Sequence, residues 1–216
     1  MSIGYRQCLL YENVSIEIRI GEINNIIGEN GSGKSTFYKT IAGEIPPLSG
    51  KLPDGFRNHT AIISDYISLP EEMTVNDFFD FIGVEKQEFM RKKYPTLFDT
   101  ISILVDQQIK TLSTGQKRIL EIFSVLSSDK SIIILDEACN GLDYQNRDFF
   151  LDCIKELSLK NDVTILHTSH NLEDIIKLGG QIFLLDKDEK KIHTYQGELK
   201  YDCLNHFMKS ILGGKS

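Results

Sequence analysis

Nine consecutive residues, Gly28-Glu29-Asn30-Gly31-Ser32-Gly33-Lys34-Ser35-Thr36, have the types and spacing to hold a chain of phosphates. They fit G-x-x-x-x-G-K-[ST], placed after an apolar run and at the start of a helical one. The glycines let the backbone wrap closely and turn its N–H groups inward. The helix beginning at Lys34 adds the partial positive charge of its N-terminus. Lys34 would carry a full charge to the outer phosphates, and Ser35 would offer a hydroxyl to Mg²⁺. A Gly-rich turn before a helix is the plainer explanation. A chance match in a chain of this length, however, is expected only on the order of 0.01 times.

A second reactive feature is Ser131 to Glu137, SIIILDE, an apolar strand that ends in two carboxylates. Asp136 would hold Mg²⁺, through water. Glu137 would face a water in line with the γ-phosphate and act as general base. Apolar strands often end in acids, so this feature gains weight from standing downstream of Lys34 with strand–helix units between them.

Those residues need a scaffold that brings two strand ends together. Val14 to Ile20 alternates apolar and polar and predicts a half-buried strand, followed by a turn at Gly21-Glu22. Ile23 to Ile27 predicts a second strand and Lys34 to Ala42 a helix. Pro46, Pro47 and Gly50 mark a loop before a short strand at Ala61 to Ile63. From Thr74 to Val105 the spacing turns helical, over Asn76–Ile82, Lys86–Tyr94 and Phe98–Val105. Thr114 to Leu126 predicts another helix. Strands over Ile132–Leu135, Val163–His167 and Ile182–Leu185 then alternate with helices over Tyr144–Leu159 and Leu172–Leu178. Such alternation implies a mostly parallel sheet covered by helices, and the unbroken apolar runs suit strands buried on both faces.

The 216 residues suffice for one full domain, and 41% hydrophobic content gives it an ordinary core. No apolar stretch is long enough to span a membrane. Met1 to Tyr11 lacks the basic and apolar regions of a secretory leader. A net charge of −7 argues against nucleic acid as a partner. Cys8, Cys139, Cys153 and Cys203 show no metal or redox spacing and read as reduced, buried thiols.

Upstream of the acidic strand stands Leu112-Ser113-Thr114-Gly115-Gln116, and downstream stand Gly141-Leu142-Asp143 and His167-Thr168-Ser169-His170. With the phosphate loop, and in this order, they resemble the nucleotide-binding domains of ABC ATPases. The resemblance covers about residues 3 to 200. It implies an α/β P-loop NTPase core with a mostly parallel sheet flanked by helices, and an antiparallel β part at the N-terminus. A short helical insertion, about 72–115, would carry the LSTGQ signature within a single domain, 1–216. The implied activity is ATP hydrolysis with Mg²⁺, driving transport through a separate transmembrane permease. Two ATPase chains, as a homodimer or heterodimer, would sandwich the nucleotides head to tail at the inner face of the cell membrane.

The resemblance also implies roles. Ser113, Gly115 and Gln116 would bind the nucleotide held by a partner chain, with Asp143 on the D-loop beside it. A plain helix N-cap at Ser113 is the simpler reading of LSTGQ alone. His170 would reach the γ-phosphate and position Glu137 and the water, whereas His167, inside a strand, reads as structural. Tyr5 lies where the family stacks an aromatic on adenine, with Tyr11 as the alternative. The sequence departs from the family at Thr114 for a glycine, at Ala138 for a proline, and at Asp65. Counting back from Thr74-Val75, Asp65 stands where the family has a glutamine that touches Mg²⁺, and a carboxylate could reach that metal. Two competing functions are a soluble ABC ATPase without a transporter and a nucleotide-binding partner that no longer hydrolyses.

Overall fold

The computed structural model describes residues 1–5, 8–52, 56–128, 130–159 and 163–213. In chain order the elements begin with β1 (Ile3–Tyr5), β2 (Cys8–Tyr11), β3 (Ile23–Ile27) and α1 (Lys34–Ile41). Next come α2 (Phe56–His59), β4 (Thr60–Ile63), α3 (Val75–Ile82), α4 (Val84–Lys93) and α5 (Pro95–Ser102). A single 3₁₀ turn at Ile109–Thr111 precedes α6 (Thr114–Ser127). The chain closes with β5 (Ile132–Asp136), α7 (Tyr144–Leu159), β6 (Thr164–Thr168), α8 (Leu172–Leu178), β7 (Gln181–Asp186), β8 (Lys191–Tyr195) and α9 (Tyr201–Leu212).

The main sheet runs β4-β5-β6-β3-β7-β8, parallel except for β8, which pairs antiparallel with β7. A separate antiparallel pair, β1 with β2, lies at the N-terminus. The isoleucines of β5 show why the sheet is central. Ile132 and Ile134 pack with Phe37, Tyr38 and Ile41 of α1 on one face. Ile133 and Leu135 pack with Ile119, Ile122 and Phe123 of α6 on the other. Fully burying such a side chain is worth about 1.5–3 kcal/mol, and a strand covered on both faces needs apolar residues at every position.

Two asparagines interrupt β3, both fully buried, and both are satisfied. Asn25 Nδ2 donates to the carbonyl of Gly179 at 2.7 Å, and its Oδ1 meets His167 Nδ1 at 3.0 Å. His167 is thus a structural residue of β6, as its place within a strand predicted.

α3 and α5 pack beside α6 through Phe79, Phe98 and Phe123, whose ring centroids lie 5.1–6.1 Å apart. Thr74 caps α3 by accepting from the Asp77 N–H, and Asp77 returns a bond to the Thr74 N–H, which fixes where that helix starts.

Two expectations need correction. Val14 to Ile20 is not a strand. Val14, Ile16 and Ile18 do pack half-buried against the α1 side of the core, but the segment joins no ladder among the described residues. Alternation records which face is buried; a strand also needs a neighbour. The antiparallel part is built instead from β1 and β2. Met1 and Val14 exchange backbone hydrogen bonds at 2.7 and 2.9 Å and tie the segment to β1. Cys8 and Cys203 are exposed rather than buried, since one lies on the small hairpin sheet and the other on the outer face of α9. Cys139 and Cys153 are buried, and burial pushes both thiols up to about 12.

Candidate active site

β3 ends at Ile27 and the loop 28–33 carries the chain to α1. Gly33 closes the loop at φ 90°, in the left-handed region that an L side chain enters only with strain. At Gly28 the reason is space: a Cβ there would sit 2.6 Å from Ser32 Oγ and 3.2 Å from the Leu185 carbonyl. The loop is braced from beneath by Tyr11, whose buried hydroxyl donates to the Ser32 carbonyl. Lys34 folds back over its own loop, and Nζ donates to the carbonyls of Gly28 at 2.9 Å and Glu29 at 3.2 Å. Glu29 pairs in turn with Lys187 at 3.3 Å.

Above the loop lies a cleft of about 630 Å³, lined by Asn30, Gly31 and Gly33 to Thr36, together with Leu10, Asp65, Asp136 and Glu137. Parallel pairing explains the convergence. β5 and β6 run side by side with Asp136 opposite Thr168, and Ile26 of β3 lies opposite Thr168 on its other side. The C-terminal ends of these parallel strands therefore open on one crevice.

Asp136 is held at both oxygens. Thr168 Oγ1 donates to Oδ1 at 2.8 Å, and the Tyr38 hydroxyl donates to Oδ2. Burial, and then the Asp136 carboxylate itself, raise the Tyr38 phenol above its ordinary range, so it stays a donor. Tyr38 and Thr168 were not singled out from sequence. Tyr38 stands four residues after Lys34, on the same helix face, and Thr168 ends the strand before His170; those two spacings are the signal that could have found them.

Glu137 leaves β5 with φ 50°. Its N–H is shared between the Thr168 carbonyl at 3.2 Å and Thr168 Oγ1 at 3.1 Å. Asn140 Nδ2 donates to Glu137 Oε2 at 2.8 Å, a partner that sequence reading also missed. His170 Nδ1 lies 3.9 Å from Glu137 Oε1. His170 and Ser169 line an adjoining hollow of about 490 Å³ with Gly28, Glu29, Asn30 and Met208.

The signature residues stand elsewhere in the chain. Ser113 is the N-cap of α6: its Oγ accepts from the Gln116 N–H at 3.2 Å, and Gln116 Oε1 accepts from the Ser113 N–H at 2.8 Å. Gly115 abuts α7, where a Cβ would fall 2.5 Å from Asn146 Oδ1. Asn146 in turn donates from its N–H and Nδ2 to Asp143, at 2.9 and 2.6 Å, and these bonds hold the Asp143 carboxyl below its usual range. Ser113, Gly115, Gln116 and Asp143 are absent from the lining of the Lys34 cleft. Tyr5 is absent from it too, half-exposed on β1, while Tyr11 is sealed in the core.

Residues 11–140 match the family model described as ABC transporter. The energy-coupling factor transporter ATP-binding protein EcfA1 of Halalkalibacterium halodurans is 32% identical over 199 residues, which covers 82% of this chain and 70% of that protein. The chain belongs to the ABC transporter family. The ABC chain EcfA2 of Acetivibrio thermocellus, another energy-coupling factor transporter ATP-binding protein, is 29% identical over 194 residues, 82% of this chain and 69% of the relative. Among solved structures, cbiO1 from Clostridium perfringens, part of the ABC transporter complex cbiONQ, superposes with a TM-score of 0.76. It shares 22% identity and covers 98% of this chain and 93% of its own. That likeness shows the ABC ATPase fold. As an ATP-binding subunit of the ABC family, the chain is an ATPase.

Proposed function

We propose that this chain is the motor of a membrane transporter, hydrolysing ATP in composite sites formed by two ATPase chains. Two separate surfaces of the chain carry this reading. One surface holds the phosphate loop with Asp136, Glu137 and Asp65, and another holds Ser113, Gly115 and Gln116. The helix start at Ser113 has anion-binding chemistry that the Lys34 cleft of the same chain does not use. A second copy, placed head to tail, would bring it there.

In that site Lys34 exchanges its two carbonyl acceptors for the outer phosphates. Ser35, Asp136 and Asp65 present oxygen donors to one cleft, which fits a hard divalent cation. Asp136, with each oxygen already accepting one hydrogen bond, is set to act through water. Bound Mg²⁺ would neutralise charge on the phosphate oxygens. Glu137, steered by Asn140, takes the proton of the attacking water, and His170 reaches the γ-phosphate beside it. Tyr5 is the exposed aromatic surface offered to adenine. The segment 72–115 serves as the helical insertion of a single nucleotide-binding domain.

Among the described residues no helix is long and apolar enough to cross a membrane. The proposed transporter is completed by a separate permease. The EcfA1 relative is named for an energy-coupling factor transporter, and cbiO1 is described as part of an ABC transporter complex. The test combines two variants. Ser113→Arg should leave ATP binding intact and stop hydrolysis, and mixing it with Lys34→Ala should restore up to half of one site's activity by pairing complementary halves. Full turnover by Ser113→Arg alone refutes the sandwich. Purification from membranes should retain a multi-span protein; an ATPase recovered without one points to a member of the family that works apart from a transporter.

A further inference from the structure

Arg118 is fully buried on α6, and Glu121, one turn further, is nearly so. Arg118 Nη1 donates to Glu121 Oε2 at 2.8 Å. Both side chains also reach outside their helix, and both land on one short segment. Arg118 Nη2 donates to the Asp65 carbonyl at 2.6 Å. Glu121 Oε1 accepts from the Ser68 N–H at 2.9 Å. The segment lies between β4 and α3. Its far end is tied down by Leu69, which packs on the core, and by the Glu71 and Met73 carbonyls, which accept from the Lys110 and Ile109 N–H groups. At its near end Ser64 Oγ bonds to Tyr66, whose side chain is largely in water, and the clamp holds residues 65 and 68.

A buried ion pair is rarely more stabilising than apolar residues of the same volume, because two charges have left water. What this pair does specify is registry. Its members lie five and eight residues beyond Ser113, on a helix whose first turn is the signature. A helix rises about 1.5 Å per residue and moves as a rigid rod over such a length. A shift of the signature turn is therefore a shift of the two anchors that hold residues 65 and 68.

We propose that Arg118 and Glu121 are positioning residues, a buried clamp that sets where the Asp65 carboxylate stands beside the phosphates and carries movement of the signature turn to it. This rests on the reading of Asp65 as a metal-side ligand.

The test uses two charge-neutral double variants of the full chain. Arg118→Met/Glu121→Gln cuts the tie to Asp65 and keeps an acceptor for Ser68, while Arg118→Met/Glu121→Leu cuts both. Removing both charges together leaves no lone buried ion, and cooperative thermal melting confirms the fold. Amide exchange across 64–69 should speed up, with ATP affinity within about twofold of wild type. The turnover number should fall about tenfold in the first variant and further in the second, and the Mg²⁺ needed for half-maximal ATPase should rise about threefold. Arg118→Lys, which keeps the charge but not the fork, should fall between and serves if a double variant does not melt cooperatively. Asp65→Asn runs beside them. The same Mg²⁺ shift in Asp65→Asn, with no further shift when it is combined with the clamp variants, supports both readings. Folded clamp variants with wild-type turnover and Mg²⁺ curves overturn the clamp, whatever Asp65→Asn does. An Asp65→Asn curve superimposable on wild type overturns the metal-side reading of Asp65, and with it the clamp's action through that carboxylate.

Discussion

His170 Nδ1 stands 3.9 Å from Oε1 of Glu137, too far for a direct hydrogen bond and close enough for both to contact one water or one phosphate oxygen. Asn140 holds the other carboxylate oxygen, so Oε1 is the one turned to the histidine. The two residues leave different strands, β5 and β6, and only parallel pairing of those strands puts them together.

Glu137→Gln should bind ATP and fail to turn it over. The amide keeps the shape and the Asn140 contact but cannot take a proton, and general bases contribute about 10²–10⁴-fold. Single-turnover hydrolysis of labelled ATP measures this. A rate within about tenfold of wild type would assign the base elsewhere.

Lys34→Ala should act on binding itself. Nζ donates to the carbonyls of Gly28 and Glu29, which places its charge over the phosphate loop. Its loss removes a charge-assisted contact, so ATP affinity should fall by about tenfold or more in calorimetry. Equal affinity would mean that the phosphates lie outside this loop.

Gly115→Ala should damage hydrolysis without touching the Lys34 cleft. The added methyl would meet Asn146 Oδ1 at 2.5 Å, and Asn146 is what fixes Asp143. We expect unchanged ATP affinity and an ATPase rate about tenfold lower, as for a residue whose displacement misplaces a reacting partner. A wild-type rate would show that Asn146 yields without disturbing Asp143.

The protein should lose stability as pH falls, through His167. Burial pushes this imidazole from 6.5 down to about 4, with Arg147 acting in the same direction and Asp174 against it. Because the folded value is the lower one, the unfolded chain takes up the proton first. The stabilisation is complete above about pH 6.5 and is lost progressively toward pH 4, to a total on the order of 3 kcal/mol. Thermal melts of wild type and His167→Gln across that window check it. Wild type should fall more steeply, whereas parallel profiles would mean that another group titrates.

The sequence made the central sheet legible where its strands are apolar throughout, as at Ile132–Leu135, and made the phosphate loop legible because glycine and lysine spacing there has a single chemical purpose. Helices 144–159 and 172–178 have the bounds that their periodicity predicted. β1, β2, β8 and α9 went unread. β1 and β2 are only three and four residues long. β8 is an edge strand with half-exposed residues, and its pattern KIHTY carries little apolar signal. The residues that orient the site were also hidden. Tyr38, Asn140, Asn146 and Thr168 have side chains common in any surface loop or helix, and their roles arise only from which strand ends the topology makes neighbours. Arg118 carries no sequence signal of its own; its burial and its bond to the Asp65 carbonyl come only from how α6 packs.

Glu137 enters the cleft by way of a left-handed backbone, at φ 50°. A carboxylate side chain held in that region carries strain of about 1–3 kcal/mol that glycine would relieve. Heat resistance and turnover therefore pull in opposite directions at a single codon. A library ranked on thermal survival alone would enrich chains that bind ATP well and never hydrolyse it. Any stabilisation campaign on this protein has to score hydrolysis in the same round as melting temperature.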